Sequence, residues 1–319
     1  MRLSSLSTLI CGLLSFTALV AGPVKSIEVK AGLMPFTLYS NGAIRLYYNN
    51  DSKVKGISYY DNTGDKYTTQ DISYDSYGTV SRREISQYLG WFNSRHTTFT
   101  YKYSLTNRVL EENQNYNWNS RQLKYHYSAF GDLDKIQAYD SSYFPKKKES
   151  VEKFYTIDGK LSSCVFYNDK GKRVLTQKWI YDIYGRTAEF QTLDGDGSLI
   201  WGTQYAYDPS INYDVETQFG PSREILSYIY SYRNDQGLVR ERDLRDAYLS
   251  VVSITMIDYN ILGQVTSVRD FDGNSQSLGY LITYYDAQAR PYQHDYSYSD
   301  HDLLRDRVTS YLQLPGNDL

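Results

Sequence analysis

A short unit recurs along this chain and limits what it can fold into: an apolar, strand-like run ends in tyrosine and is followed by Asp–x–x–Gly. Its clearest copy is Trp179–Ile180–Tyr181–Asp182–Ile183–Tyr184–Gly185–Arg186. An aspartate at the first turn position accepts a hydrogen bond from the N–H two residues on and starts the bend. Glycine at the fourth position takes the left-handed backbone that lets the next strand leave as a bulged hairpin. Trp179 and Tyr181, two apart, share one face of the strand. Further copies are Tyr60–Asp61–x–x–Gly64, Tyr74–Asp75–x–x–Gly78, Tyr127–Ser128–x–x–Gly131, Tyr155–Thr156–x–x–Gly159 and Tyr167–Asn168–x–x–Gly171. After Tyr181–Asp182–x–x–Gly185 come Leu193–Asp194–x–x–Gly197, Tyr259–Asn260–x–x–Gly263 and the weaker Tyr285–Asp286–x–x–Ala289. Tyr155, Tyr167, Tyr181, Leu193 and Tyr207 are spaced 12, 14, 12 and 14 residues apart. Such intervals hold one strand of about 27–33 Å and one turn, repeated. The fold class expected is all-β: an array of β-hairpin repeats in a long, curled antiparallel sheet, with a partial shell or solenoid as the alternatives for its form.

These motifs resemble the YD-repeat (Rhs-type) family, whose repeats carry Tyr–Asp–x–x–Gly followed by a basic or amide residue and an aliphatic one. Tyr181–Asp182–Ile183–Tyr184–Gly185–Arg186 and Gly263–Gln264–Val265 fit that pattern best, and the array covers most of the chain after residue 39. A MORN-like reading fits Gly159–Lys160–Leu161 and Gly171–Lys172–Arg173 almost as well, and both imply hairpin repeats. The YD resemblance implies carbohydrate or cell-surface contact, or a shell that encloses a polypeptide. Larger Rhs-type proteins end their shell with Asp–Pro–x–Gly and a toxin. Here Asp208–Pro209 lacks the glycine, so toxin delivery is not expected.

Residues 1–22 read as a secretory signal peptide, with Arg2 before an apolar core from Leu9 to Val20. That core is short for a membrane span, and Cys11 lacks a lipobox context. The expected location is therefore secreted, periplasmic or cell-surface, with residues 23–319 forming a single repeat domain and no integral membrane segment after signal removal. Cys164 is then the only cysteine, so sheet pairing and aromatic packing must stabilise the fold without an intramolecular disulfide. The net charge of −3, with acids and bases interleaved, excludes a nucleic-acid surface.

Tyrosine is the anomaly of composition, 35 residues against 11 Phe and 4 Trp. Alternation places Trp201, Thr203, Tyr205 and Tyr207 on one strand face, and Tyr228, Tyr230 and Tyr232 repeat the pattern. Rows of this kind ladder across a sheet, and most of these tyrosines are expected in the core with their hydroxyls at its edge. Trp201 is expected to be buried more completely than Tyr207, whose hydroxyl stays near water. Double-length intervals need extra turns, for which Leu89–Gly90, Asn115–Tyr116–Asn117 and Gly220–Pro221 are candidates. Between Arg240 and Ser250 the helical spacing of Leu244, Ala247, Tyr248 and Val251 predicts a short helix. Lys146–Lys147–Lys148 reads as a solvated loop.

No catalytic constellation emerges. His96, His126, His294 and His301 are scattered, and no Cys–x–x–Cys, Gly–x–Ser–x–Gly or phosphate-cradling loop occurs, so neither a metal nor a cofactor is expected. Asp194–x–Asp196–x–Ser198 begins like a calcium loop but carries Leu199 and Tyr205 where glycine and glutamate are required, which favours a hairpin turn. The expected function is non-enzymatic: a repeat sheet that presents a surface to a glycan or protein partner. The alternatives are a structural shell around a polypeptide and an enzyme with a site assembled from separated loops. An outer-membrane barrel is disfavoured by polar positions such as Lys102, Lys124, Lys178 and Gln204.

Overall fold

The computed structural model describes residues 38–88, 94–116, 119–140, 146–207 and 213–311. The signal segment 1–22, Leu89–Gly90, Asn117 and Asp208–Pro209 lie outside the described residues. The chain forms two compact units, one containing 38–150 and 282–311 (the terminal unit) and one containing 151–281 (the central unit). The terminal unit holds β1 (Asn41–Tyr48), β2 (Val54–Asp61), β3 (Lys66–Tyr74), β4 (Val80–Tyr88), β5 (Ser94–Tyr103), β6 (Val109–Tyr116), β7 (Asn119–Tyr127) and β8 (Leu133–Asp140). β9 (Lys147–Tyr155) begins in it and ends in the central unit, which contains β10 (Leu161–Tyr167), β11 (Arg173–Tyr181), β12 (Thr187–Asp194) and β13 (Leu199–Tyr207). There follow β14 (Tyr213–Phe219), β15 (Ile225–Arg233), β16 (Val239–Asp246), β17 (Val251–Tyr259) and β18 (Val265–Asp272). β19 (Ser277–Tyr285) returns to the terminal unit, where β20 (Pro291–Tyr298) and helix α1 (His301–Tyr311) end the described chain.

The all-β expectation holds, with antiparallel hairpins throughout. Within the terminal unit β1 to β7 each pair with the next strand in sequence, and β20 runs along the other side of β1. Gly42 faces Tyr296 and Ile44 faces His294 across that ladder. An open curled sheet would leave its first and last strands unpaired. Here those two strands satisfy each other's backbone groups, which removes the exposed edge that invites foreign pairing.

Local chemistry explains the hairpins. At the central copy, Asp182 N–H donates to Arg186 O (2.8 Å) and Gly185 N–H to Asp182 O (2.9 Å). Asp182 Oδ1 accepts from the N–H groups of Tyr184 and Arg186, each at 2.9 Å. The register slips by one between Ile180 and Tyr181, so the turn ends in a bulge. The same two backbone bonds close fifteen turns among the described residues. Nine have glycine at the fourth position, and six place Ser52, Asn107, Arg223, Leu249, Ser275 or Ala289 there at positive φ.

Several expectations are corrected. No helix lies between Arg240 and Ser250: Val239–Asp246 is β16, and Asp246 caps a turn ending at Leu249. Leu244 pairs with Ile229, and this strand pairing overrides the helical spacing. Lys147 and Lys148 open β9 and are not a loop; Lys148 Nζ lies 3.4 Å from Asp140. Helix α1 was not anticipated. Asp300 Oδ1 accepts from the N–H groups of Asp302 and Leu303, capping its start, and Leu303, Leu304 and Val308 are buried. Cys164 is buried on β10.

Tyrosines supply less of the core than their number suggests. Only Tyr59, Tyr67, Tyr125, Tyr296 and Tyr298 are buried among the described residues, all in the terminal unit. Aliphatic side chains such as Ile44, Ile57, Leu123 and Leu304 fill the space between them. His294 is also buried there, 3.0 Å from Thr283 Oγ1, and burial lowers its pKa to about 4. Asp306 on α1 is buried as well, and burial raises its pKa to about 6.

These two groups titrate against each other. The unfolded histidine, with a pKa of 6.5, binds a proton that folded His294 refuses, so acidification through 6.5 towards 4 removes stability on the order of 3 kcal/mol. Folded Asp306 takes a proton near pH 6 that an unfolded aspartate refuses down to its ordinary pKa of 3.8, so it adds stability over an overlapping window as the pH falls. Thermal melts of the wild type should therefore vary little from pH 6.5 to 4. Asp306→Asn should uncover a clear fall in that range, and a flat profile for that variant would refute the assignment.

The turns make a second prediction. Leu249 is half exposed and sits at φ 67°, a conformation that costs an L residue about 1–2 kcal/mol. Leu249→Gly should stabilise the protein by up to about 1 kcal/mol after the entropy of glycine is deducted. Gly185→Val forces a β-branched residue to φ 75°, against Lys160 Nζ, and should cost about 1–3 kcal/mol. Ile183→Ala, at an open turn position, should be close to neutral in the same denaturant melts.

Candidate functional site

The recurring tyrosine does more than end a strand. Tyr74, Tyr103 and Tyr127 donate their hydroxyls to the carbonyls of Val54, Val80 and Val109, at 2.6, 2.6 and 2.8 Å. Tyr181, Tyr207 and Tyr259 do the same to Leu161, Thr187 and Val239, at 2.8, 3.0 and 2.7 Å. Tyr48 closes on Pro291 at 2.6 Å. In every case the acceptor is the first residue of the neighbouring strand, the aliphatic or branched residue two places after the turn's last position. The residue between them often covers the ring: Lys53 lies over Tyr74, Arg108 over Tyr127, Lys160 over Tyr181, Arg186 over Tyr207 and Arg290 over Tyr48, with centroid distances of 4.6–5.6 Å. Lys53 and Lys160 also donate to the carbonyls of Gly78 and Gly185, at 2.7 and 3.0 Å. The basic–aliphatic pair after the turn is thus one half of a clip whose other half is the next tyrosine.

Of the other motif residues, Tyr60 precedes its turn on the opposite margin and meets Tyr47, with hydroxyls 3.1 Å apart. Tyr155, Tyr167 and Tyr285 end β9, β10 and β19. Asp61, Asp75 and Asp286 each accept two turn N–H groups on Oδ1, as does Asp194, which occupies the oxygen a calcium ion would need. Gly64, Gly78, Gly131, Gly159, Gly171, Gly185 and Gly263 all end turns at positive φ. The array is structural scaffolding, and these residues are dispersed along the sheet margins.

The residues that do come together lie on β14–β16 of the central unit. Tyr205 faces Glu216 and Glu216 faces Ile229, so the row Trp201–Tyr205–Tyr207 shares its face with Ile229. Tyr228, Tyr230 and Tyr232 therefore lie on the opposite face, with exposed Lys178, Gln204 and Met256. The expected continuous ladder is not formed. Its cause is legible at the end of β15, where Arg233 precedes the turn Asn234–Gly237 and displaces the tyrosines by one residue. Trp201 instead joins Phe190 and Trp179 in a half-buried diagonal, with successive centroids 5.3 and 5.1 Å apart. Tyr207 is half-buried too, and its hydroxyl is held by Thr187 and is not left to water.

On the exposed face Tyr213 joins the row, its ring 5.8 Å from Tyr230 and 5.5 Å from Tyr232. Tyr230 and Tyr232 are nearly parallel, at 18°. Beside them on β16 stand Glu241, Asp243 and Arg245, facing Tyr232, Tyr230 and Tyr228 in turn. Arg245 lies 4.8 Å over the Tyr230 ring and donates to Asp243 Oδ2 at 3.1 Å. Asp243 is only 6% exposed, and its Oδ1 has no partner among the described residues. Burial, and then the adjacent Asp243 carboxylate, hold the Glu241 carboxyl above its ordinary pKa. The cluster offers aromatic faces, two neighbouring carboxylates and one guanidinium within three strands.

No protein-family model and no curated protein matches the sequence. Among solved structures, the chain is similar to the Photorhabdus luminescens Tc holotoxin pore at 11% identity and a TM-score of 0.39, covering 83% of this chain and 15% of that one. It is also similar to TcdB2–TccC3 without its hypervariable C-terminal region, at 10% identity and a TM-score of 0.34, covering 82% of this chain and 15% of that one. A porin-like protein from Bacteroides uniformis gives 10% identity and a TM-score of 0.33, with 83% and 98% covered. The chain thus spans about 15% of the length of the toxin-component chains. With TM-scores this low, these likenesses carry no argument about function. No helix among the described residues is long and apolar enough to cross a membrane.

The clip predicts a specific cost. Tyr181→Phe deletes the hydroxyl bonded to Leu161 and leaves a strand-end carbonyl without its donor, which should cost about 1 kcal/mol. Tyr184→Phe, in the exposed turn, should be neutral. Equal denaturant midpoints for the two variants would show that the hydroxyl bond contributes nothing.

Proposed function

We propose that the protein is an exported, non-enzymatic repeat protein whose sheet presents a binding surface to a glycan, with residues 23–319 forming a single repeat domain. The cluster of Tyr213, Tyr228, Tyr230 and Tyr232 beside Glu241 and Asp243 carries this reading. A sugar ring has apolar C–H faces that pack on aromatic rings, and in-plane hydroxyls that seek carboxylate acceptors. The four tyrosine hydroxyls make no hydrogen bond to another described group, and Asp243 Oδ1 is already stripped of water. A protein partner is the second reading, since tyrosine and arginine also anchor protein interfaces. The pairing of β1 with β20 favours a structural shell as the remaining alternative.

A glycan array probed with the purified chain tests the proposal. Binding to at least one class of glycan is expected, with Tyr230→Ala weakening it at least tenfold. Tyr205→Ala, on the opposite face, should leave it within about twofold. A blank array, or equal losses for the two variants, would overturn the glycan reading.

A further inference from the structure

A second feature lies in the terminal unit, in a cavity of about 460 Å³ beneath the turns 75–78 and 104–107. Its origin is a lapse in the clip. Where Lys53, Arg108, Lys160, Arg186 and Arg290 cover other strand-end tyrosines, the residue preceding Val80 is Thr79. Its short side chain turns back to the Asp75 carboxylate, and the space above Tyr103 stays open.

The lining is apolar and aromatic, with Ile72, Val80, Tyr101 and Tyr103 among its walls. Two cations, Arg83 and Arg108, reach it, and among the described residues no carboxylate does. Most of the polar groups are already used. Tyr103 and Tyr127 donate to Val80 and Val109, and Tyr125 donates to Glu112 at 2.9 Å. Glu112 also accepts from Gln114. The Tyr101 hydroxyl has no hydrogen-bond partner among the described residues. Arg83 stacks its guanidinium 4.2 Å above Phe99, its Nε is buried without an acceptor, and it has no ion pair among the described residues. A sheltered guanidinium lacking a counter-charge is costly and is stabilised by any anion that enters.

We propose that this cavity binds a small organic monoanion, a carboxylate on an aryl or alkyl body, with its acid group on Arg83 and Tyr101. The volume falls within the range of roughly 300–1,000 Å³ usual for small-molecule sites, and the walls match an apolar body. One inward guanidinium and one hydroxyl suit a planar carboxylate, whose two oxygens the guanidinium fork can receive together. A phosphate dianion would need more donors than the cavity holds. Arg108, exposed and stacked on Tyr127, stands at the mouth and draws anions in.

Isothermal titration of the full chain with phenylbutyrate and with phenylbutanol, its neutral counterpart, tests the assignment. Phenylbutyrate should bind with one-to-one stoichiometry and at least tenfold more tightly than the alcohol. Arg83→Met should abolish that preference, and Tyr101→Phe should weaken phenylbutyrate several-fold. Tyr230→Ala should leave phenylbutyrate binding unchanged, which separates this site from the tyrosine cluster of the central unit. If Arg83→Met fails to fold, Tyr101→Phe decides, since it removes one oxygen that bonds no other described group. Absent phenylbutyrate binding, equal affinity for acid and alcohol, or indifference to Tyr101→Phe would each overturn the proposal.

Discussion

The strand-end carbonyl is the group on which this architecture depends. A hairpin array places such carbonyls at its margins, past the last ladder bond, where each must find water or a donor. Here seven tyrosine hydroxyls reach sideways to the first residue of a neighbouring strand and bond that carbonyl at 2.6–3.0 Å. The ring that carries the hydroxyl then supplies a surface for a basic stem. Tyrosine is required because phenylalanine lacks the donor and serine cannot span the distance. Margin bonding thus employs seven of the described tyrosines, whereas only five are buried.

Much of this is legible in the sequence. Asp182 and Gly185 prescribe a turn by local chemistry, and at Asp61–Gly64, Asp75–Gly78 and Asp194–Gly197, where both types follow a strand-end Tyr or Leu, the chain turns as expected. The turns that lack that pair of signals include five beginning at Asn49, Ser104, Asn234, Asp246 and Asp272. At four of them Ser52, Asn107, Leu249 and Ser275 stand where glycine is easiest, so the backbone accepts positive φ because pairing on both sides imposes it. At the fifth, Asn234–Gly237, arginine replaces the signalling tyrosine. The helix expected near Leu244 failed for a related reason. A strand flanked by two partners gains ladder bonds along its length, and these outweigh a weak local periodicity. The carbonyl partner of each tyrosine could not be read, since it depends on which strand start lies beside which strand end.

The candidate sites were less legible because they arise where the repeat is broken. At the end of β15, Arg233 takes the tyrosine's place and pairs with Asp214, its Nε at 3.1 Å. Three tyrosines move one position back along the strand and emerge on the other face. Composition and alternation count them alike on either face. Only the phase of the row relative to its turn distinguishes them, and that phase is written in Tyr232–Arg233–Asn234. At Thr79 the break is one of size and charge, because a side chain too short to cover Tyr103 leaves a cavity in place of a lid.

Repetition and function therefore occupy complementary positions. A regular copy consumes its own polar groups: the aspartate is used by turn N–H groups, the hydroxyl by a carbonyl and the basic residue by a ring. Such a copy has little left to offer a ligand. A broken copy releases one component without dismantling the rest, since the neighbouring hairpins still hold the strand in register. The half-buried Asp243–Tyr230 cluster and the sheltered Arg83–Tyr101 cavity are both of this kind, with paired strands on either side and unspent hydrogen-bonding capacity between them. In a scaffold built this way, the residues to examine first are those that violate the motif while keeping its spacing.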